Sequence, residues 1–127
     1  MEGKGRITGH TGLLALIGSP VGHSGSPAMY NYSFEKLGLD YAYVAFDIKV
    51  EEVKAALDAM RLFHMRGCNV TMPCKTEAAK YMDELSPAAR IIGAVNTIVN
   101  EDGKLIGHMT DCLLYTSPSP RDGLLSR

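Results

Sequence analysis

The sequence predicts an α/β domain in three layers, with helices on both faces of a mostly parallel sheet that also carries one antiparallel hairpin strand. Short apolar runs alternate with segments of helical spacing, and such alternation favours parallel pairing with right-handed crossovers. The segment Glu101-Asp102-Gly103 lies between two strand-like runs and is typical of a hairpin turn. The chain has 127 residues, of which 46% are hydrophobic and 21% charged, enough for one domain with a buried core.

The first strand and helix are predicted from an apolar run and a capping signal. Leu13–Ile17 is continuously apolar, as expected of a strand buried on both faces. Ser26-Pro27 predicts a helix with the serine as N-cap and the proline in its first turn, and Gly38 is expected to end it. The inner face of this helix is predicted to carry three residues at helical spacing: Tyr30, Phe34 and Leu37.

Two further strand and helix units follow. The aromatic and β-branched run Tyr41–Phe46 favours a strand, and the next helix is expected to hold Glu51 and Glu52 in its first turn. Its buried face is predicted to consist of Val53, Leu57 and Met60. Gly67–Thr71 predicts a third strand, and a third helix is expected to begin near Lys75. The inner side of that third helix is predicted to consist of Ala79, Met82 and Leu85.

The last part of the domain changes from crossovers to a hairpin. Ser86-Pro87 repeats the capping signal and predicts a short fourth helix. Asn96–Asn100 and Lys104–Met109 are the predicted arms of the hairpin, with the glycine-containing turn between them. A turn centred there sets Asn96 opposite position 107 or 108.

Charge and cysteine content limit the function classes that the chain can belong to. A formal net charge of −1 gives no basic surface for nucleic acid or for an anionic membrane. The longest early apolar run is too short to span a bilayer, and no signal-peptide pattern follows the first residues. Cys68, Cys74 and Cys112 are odd in number and lack zinc-ligand spacing. We therefore expect buried thiols, no metal and a cytoplasmic protein.

Two segments offer candidate functional side chains at predicted helix starts. The Gly18–Pro27 loop places hydroxyl residues before a helix N-terminus, which favours a bound anion. Ser24 and Ser26 would donate to a carboxylate, although Ser26 alone is equally explained as the helix cap. Lys75 faces the positive end of the next helix, which disfavours a charged ammonium and makes proton exchange with a substrate hydroxyl a hypothesis. A solvated lysine at a helix start explains the same residue.

A third candidate group lies at the open end of the hairpin. Thr110 and Asp111 are expected to emerge beside Asn96, where the active-site loops of open α/β sheets gather. A carboxylate next to Lys75 would hold the lysine in place. Taken singly, Asn96 is also explained by a strand-end hydrogen bond, and Asp111 by a cap for a following helix.

Together these segments resemble the shikimate dehydrogenase family. The family pattern consists of a Gly-x-Pro-x-x-His-Ser-x-Ser-Pro loop, an Asn-Val-Thr-x-Pro-x-Lys segment, a Gly-Ala-x-Asn-Thr segment and a closing Thr-Asp. This sequence matches all four in order, at residues 18–27, 69–75, 93–97 and 110–111. The resemblance implies that residues 1–111 form the family's N-terminal, shikimate-binding domain.

The resemblance also implies a reaction and a cofactor. Members interconvert 3-dehydroshikimate and shikimate reversibly, with NADP or NAD, on the route to aromatic amino acids. In the family a C-terminal domain binds the cofactor, and this sequence contains no glycine-rich dinucleotide fingerprint. We therefore expect a chain cut off before the cofactor domain and unable to complete hydride transfer alone.

By motif match, the resemblance implies a set of substrate-binding residues: Ser24, Ser26, Thr71, Lys75, Asn96 and Asp111. The serines would hold the substrate carboxylate, and the threonine, asparagine and aspartate would bind ring hydroxyls. The implied catalytic pair is Lys75, which would donate or accept the proton, and Asp111, which would orient it.

Two departures from the family pattern concern the substrate: Cys74 stands where a bulky residue is usual, and Met109 where asparagine is common. This variation is more typical of the branch of the family that also takes quinate, and the choice between shikimate and quinate stays open. In a separate departure, Cys112 stands where a glycine is expected. An alternative function is a non-catalytic module that binds shikimate or quinate. A further alternative is an unrelated α/β fold whose motifs are only caps and turns.

Residues 112–127 lie outside the family pattern. From Cys112 onward the sequence has neither periodicity nor a helix cap, and it resembles the translated read-through of a sequencing adapter. A natural disordered tail rich in serine and proline is the alternative. In either case we expect a disordered segment without a role in the site.

Overall fold

Strands and helices alternate along residues 6–110, the part of the chain that the computed structural model describes. The elements in chain order are β1 (Gly12–Gly18), α1 (Ser26–Leu37), β2 (Tyr41–Asp47), α2 (Val53–Leu62), β3 (Gly67–Val70), α3 (Lys75–Ala79), β4 (Glu84–Leu85), α4 (Pro87–Ile92), β5 (Thr97–Glu101) and β6 (Lys104–His108). None of the helices between residues 6 and 110 is long and apolar enough to cross a bilayer.

The strands form one sheet in the order β2-β1-β3-β5-β6-β4. β1 pairs in parallel with β2 and β3, and β4 pairs in parallel with β6. β5 runs antiparallel to both of its neighbours, which confirms the predicted mostly parallel sheet with one antiparallel hairpin strand. Because β5 is reversed, its amino end lies at the same edge of the sheet as the carboxyl ends of β1, β3 and β6.

Two hydrophobic clusters on opposite faces of the sheet account for the three layers. Side chains of β1 alternate between them, with Ala15 and Ile17 in the larger cluster and Leu16 in the smaller one. The larger cluster receives buried residues from α2, α3 and α4: Val53, Leu57, Met60, Ala78 and Ala89. The smaller cluster receives Phe34 from α1. The predicted three-layer fold class is therefore confirmed.

The first helix differs from the prediction at its start and at its inner face. Gly25 is the N-cap residue, and Ser26 is already the first helical residue. The hydroxyl that supports this turn belongs to Ser24, whose Oγ accepts a hydrogen bond from the Ser26 N–H at 3.1 Å. Phe34 is buried as expected, but Leu37 is 70% exposed, because it is the last residue of the helix, beyond the turn that packs on the smaller cluster.

The third helix is shorter than the spacing of apolar residues predicted. It ends at Ala79, and the backbone N–H groups of Asp83 and Ser86 each donate to a carbonyl of β6 at 2.8 Å. These sheet bonds place Leu85 in β4 and leave Met82 in the connection between α3 and β4. Pairing with a neighbouring strand overrides helical spacing at this point.

The starts of the other two helices follow the prediction more closely. α2 buries the expected face of Val53, Leu57 and Met60, but Glu51 and Glu52 precede it in a 3-10 turn. At the start of α4, the Ser86 Oγ accepts a hydrogen bond from the Ala89 N–H at 3.2 Å, and Pro87 occupies the first turn. The predicted cap of the fourth helix is therefore confirmed.

The hairpin register differs from both predicted pairings of Asn96, with position 107 and with position 108. Thr97, and not Asn96, is the residue opposite His108, while the Asn96 N–H donates to the His108 carbonyl at 2.9 Å. Asp102 and Gly103 form the turn with φ of 54° and 94°, and this two-residue turn sets the register. Asn96 consequently lies just before the paired strand.

Asn31 of α1 caps β2, which is an edge strand of the described sheet. Its Nδ2 donates to the Tyr43 carbonyl and its Oδ1 accepts from the Tyr43 N–H, both at 2.9 Å. The side chain thus replaces a neighbouring strand at one residue. Covering edge groups in this way protects a sheet from pairing with another chain.

We expect Asn31→Ala to lower the free energy of unfolding by about 1–3 kcal/mol, because two backbone groups lose their partners. Urea denaturation followed by circular dichroism measures this change. Asn31→Asp keeps the acceptor but loses the donor, so its stability should fall between that of the parent and that of Asn31→Ala. Glu35→Ala, at an exposed position of the same helix, is the control. An Asn31→Ala protein as stable as the parent would contradict the capping role.

Asp83 ties the hairpin to α2. Its Oδ2 accepts from the Leu105 N–H at 2.7 Å and from Arg61 Nη2 at 3.1 Å, and these bonds, the backbone one most, lower the pKa of the carboxyl group. Since an unfolded aspartate titrates near pH ~4, the bonded carboxylate stabilises the fold above that pH. This stabilisation is lost as the pH falls through the lowered pKa.

Asp83→Asn should therefore lower Tm at neutral pH, and its difference from the parent should shrink as the solution becomes strongly acidic. Thermal unfolding across the acidic range tests this expectation. A Tm difference that stayed constant at every pH would show that the charge of Asp83 does not matter.

Candidate functional site

A cavity of about 330 Å³ opens where the carboxyl ends of β1 and β3 meet the amino end of β5. The described residues that line it are Leu16, Pro20, Val21, His23, Ser24, Ser26, Tyr30, Asn69, Val70, Thr71, Lys75, Asn96, Thr97 and Thr110. Hydroxyl and amide groups dominate its polar part, Lys75 contributes an ammonium, and none of these described lining residues is acidic. Such a lining suits a small polyhydroxylated anion.

The cavity brings together five of the six predicted site residues: Ser24, Ser26, Thr71, Lys75 and Asn96. They come from sequence positions up to 72 apart (24 to 96) and meet because each stands at the end of an element. Asp111 lies outside the described residues, so its predicted role in orienting Lys75 stays a prediction.

Two hydroxyl groups lie at the N-terminus of the 12-residue helix α1. The Ser24 N–H donates to the Val21 carbonyl at 3.1 Å, which turns the loop back toward the helix. Because the Ser24 Oγ accepts from the Ser26 N–H at 3.1 Å, its own hydrogen is directed to another acceptor. This loop therefore combines hydroxyl donors with the positive end of a helix, an arrangement that favours a carboxylate.

Lys75 is the first residue of α3, as predicted, and it is half-buried at the cavity wall. Its carbonyl accepts from the Val95 N–H at 3.0 Å, which attaches the start of α3 to the chain just before Asn96. Behind it, Cys74 is fully buried, and burial raises the pKa of its thiol. Burial also raises the pKa of Cys68 to about 12, so both thiols stay protonated in the core, as expected.

Asn96 is buried at 7% exposure and held from the far side of the hairpin. Its Oδ1 accepts from the Thr110 N–H at 3.0 Å, and its Nδ2 lies 2.9 Å from the Thr110 Oγ1. A backbone N–H can only donate, so this bond fixes which end of the amide carries the oxygen. The predicted meeting of Asn96 and Thr110 at one mouth of the hairpin is confirmed.

A chain of hydrogen bonds that the sequence patterns did not indicate supports Asn96 from below. The Tyr43 hydroxyl donates to Asn69 Oδ1 at 2.8 Å, Asn69 Nδ2 lies 3.5 Å from Thr97 Oγ1, and Thr97 Oγ1 donates to Asn96 Oδ1 at 3.2 Å. Asn69 and Thr97 belong to the matched motif segments. No sequence pattern indicated a role for Tyr43 at the site, because that role depends on the pairing of β2 with β1.

Tyr43 serves this chain as a neutral donor. It is 3% exposed, and its ring stacks on Tyr30 with centroids 4.6 Å apart. Burial, assisted by the neighbouring Tyr30, raises the pKa of Tyr43 well above its usual value. The phenol therefore remains protonated, and the direction of the hydrogen bonds toward Asn96 is kept.

Tyr43→Phe should lower the free energy of unfolding by about 1–2 kcal/mol, because Asn69 Oδ1 loses its donor. The side-chain amide resonances of Asn69 and Asn96 should also shift in NMR spectra. Tyr32→Phe changes an exposed tyrosine on α1 and is the matched control. Unchanged amide resonances in Tyr43→Phe would show that the two asparagines do not depend on this hydroxyl.

Residues 16–98 match the family model of the shikimate dehydrogenase substrate binding domain. The shikimate dehydrogenase (NADP(+)) of Listeria monocytogenes is 56% identical over 106 residues, which are 84% of this chain and 36% of that relative. The enzyme of the same name from Streptococcus uberis is 54% identical over 108 residues, or 84% of this chain and 37% of that relative. The chain thus spans little more than a third of these relatives.

Solved structures agree with the family match. Shikimate 5-dehydrogenase from Listeria monocytogenes, solved in complex with shikimate and NAD, superimposes with a TM-score of 0.84 at 54% identity. That superposition covers 88% of this chain and 39% of the other. The Thermus thermophilus enzyme in complex with shikimate gives 0.78 at 40% identity, with 84% of this chain and 40% of that one covered. With more than half of its residues matched by the family model, the chain belongs to the shikimate dehydrogenase substrate binding domain family.

Proposed function

We propose that this chain is the shikimate-binding part of an NADP-dependent shikimate dehydrogenase. The observation that carries the proposal is the single cavity in which two serines, Thr71, Lys75 and Asn96 converge. The relatives named above are shikimate dehydrogenases that share this domain, and both structures named above were solved in complex with shikimate.

In this proposal Ser24 and Ser26 bind the substrate carboxylate. Their hydroxyl groups lie at the positive end of α1, and the described lining contains Lys75 and no acidic side chain. A hydrogen bond to a charged group contributes more than one between neutral groups. The carboxylate would therefore set the orientation of the ring within the cavity.

Thr71, Asn96 and Asp111 bind the ring hydroxyl groups, and Lys75 acts on the reacting oxygen. When 3-dehydroshikimate is reduced, hydride adds to the carbonyl carbon, and Lys75 donates a proton to the oxygen. In the reverse direction the lysine takes the hydroxyl proton as hydride leaves. Asp111, the last residue of the matched Thr-Asp motif, would orient the ammonium group.

The cavity and the loop beside it do not have the features of a dinucleotide site. A cavity of about 330 Å³ suits a ring acid, and the loop between β1 and α1 lacks the Gly-x-Gly-x-x-Gly spacing that lets a backbone approach a pyrophosphate. The proposal therefore assigns cofactor binding to none of residues 6–110. NADP or NAD would supply the hydride. The choice between shikimate and quinate would depend on the residues that line the cavity.

Titration of the 127-residue chain with shikimate, followed by NMR, tests the proposal. We expect weak binding with shifts at Ser24, Lys75 and Asn96, and no turnover with NADP or NAD. Ser24→Ala should weaken shikimate binding about 10-fold, because a donor to a charged group is lost. The same substitution should scarcely change the binding of the methyl ester of shikimate, which has no carboxylate. Ser33→Ala on the same helix is the control.

The role of Lys75 is tested by Lys75→Ala, with Lys80→Ala as a control at an exposed lysine of the same region. The proposal expects weaker shikimate binding only in the Lys75 variant, since only Lys75 lines the cavity. Tight binding unaffected by Lys75→Ala would instead indicate a non-catalytic binding module. Absence of shifts with both shikimate and quinate would refute the proposed substrate class.

A further inference from the structure

We propose that Gly18 is a positioning residue for Thr71: because it has no side chain, it accommodates the Thr71 methyl group and so directs the Thr71 hydroxyl into the cavity. The inference rests on the function proposed above, since it concerns how one substrate-binding side chain is oriented.

Gly18 and Thr71 are held together at the ends of two neighbouring strands. The Thr71 N–H donates to the Ile17 carbonyl, and the Ser19 N–H donates to the Met72 carbonyl, both at 2.9 Å. These bonds on either side of the pair hold the two backbones close together. The Cα of Gly18 therefore faces the Thr71 side chain directly.

The space beside Gly18 is already filled by the Thr71 methyl group. A Cβ at position 18 would lie 2.2 Å from Thr71 Cγ2 and 2.9 Å from the Met72 carbonyl oxygen. The φ of Gly18 is 152°, a conformation that other residues rarely adopt. Any side chain at this position would have to displace the methyl group.

The position of the methyl group determines the position of the hydroxyl, because both are attached to the same Cβ and χ1 of a β-branched residue has few allowed values. With Cγ2 packed on Gly18, the hydroxyl of this half-buried lining residue is left to the cavity. Within residues 6–110 no hydrogen bond holds it elsewhere. Packing of a methyl group, rather than a hydrogen bond, thus sets the orientation of a substrate-binding hydroxyl.

A double-mutant cycle isolates this contact. Gly18→Ala should rotate Thr71 and weaken shikimate binding about 10-fold or more. Thr71→Ser alone should weaken it only about three-fold, because the hydroxyl remains but gains rotamers. In the double variant the clashing Cγ2 is absent, so binding should recover most of the loss caused by Gly18→Ala. Gly9→Ala, where an added Cβ meets nothing within 4 Å, is the control.

The measurements are shikimate titrations, the three-bond couplings that report χ1 of Thr71, and ligand-free Tm values for all variants of the 127-residue chain. A changed χ1 in Gly18→Ala, with binding and Tm restored by Thr71→Ser, supports the inference. A double variant that binds as poorly as Gly18→Ala overturns it, because backbone strain at position 18 would then be the cause. A Gly18→Ala protein that binds like the parent overturns it as well.

Two further outcomes are also decisive. If Gly18→Ala does not fold, a folded double variant supports the contact and an unfolded one overturns it. If the parent chain itself does not bind shikimate, the proposed function fails, while χ1 and the non-additivity of the Tm values still decide whether Gly18 positions Thr71.

Discussion

The reversal of one strand, β5, is the constraint on which the site depends. In a sheet whose other strands run in parallel, this reversal brings Asn96, at the amino end of β5, to the edge where β1 and β3 end. Had β5 been parallel to β3, Asn96 would stand at the opposite edge, far from Lys75. The backbones of β3 and β5 also approach closely at Gly67, where a Cβ would lie 2.6 Å from the Ile98 carbonyl oxygen. Any larger residue there would push Asn69 and Thr97 apart.

The register of β1, β3 and β5 then determines which side chains line the cavity. Leu16, Asn69 and Thr97 are paired across three adjacent strands and face the same side of the sheet. An apolar side chain on β1 therefore lies next to polar side chains on β3 and β5, and together they form the floor of the cavity. Buried polar groups are tolerated there because each has a partner, starting from the Tyr43 hydroxyl. A half-satisfied network would cost more than an apolar floor.

The sequence allowed prediction wherever a single local cause determines the structure. A continuous apolar run identified β1, Ser86-Pro87 identified the start of α4, and the turn near Asp102 identified the hairpin. The predictions failed where a nonlocal bond decides. Leu85 has helical spacing, yet sheet pairing with β6 takes it into β4. The Ser26 cap failed for a different, local reason, because the hydroxyl that supports the turn belongs to Ser24, two residues earlier.

The same distinction applies to the site. Ser24, Ser26, Thr71, Lys75 and Asn96 could be named in advance because the family motifs contain them, and their convergence in one cavity follows from the ends of the elements that carry them. The contributions of Tyr43 and Gly18 could not be named, because they act through pairing and packing with residues distant in sequence. The spacing of residues in a helix or a strand does not indicate that the methyl group of Thr71, after β3, packs against Gly18 at the end of β1.

Two backbone hydrogen bonds hold Lys75 and Asn96, which both line the cavity, in place beside each other. The Val95 N–H donates to the Lys75 carbonyl at 3.0 Å, and the next carbonyl, that of Asn96, accepts from the Val70 N–H at 2.9 Å. Val95 is fully buried, so this stretch of chain cannot slide without exposing core. The start of α3 is thus attached through Lys75 to Val95, the residue before Asn96, while Asn96 is bonded to the end of β3. Although α3 is only five residues long, it is positioned by these contacts rather than by its own helical stability.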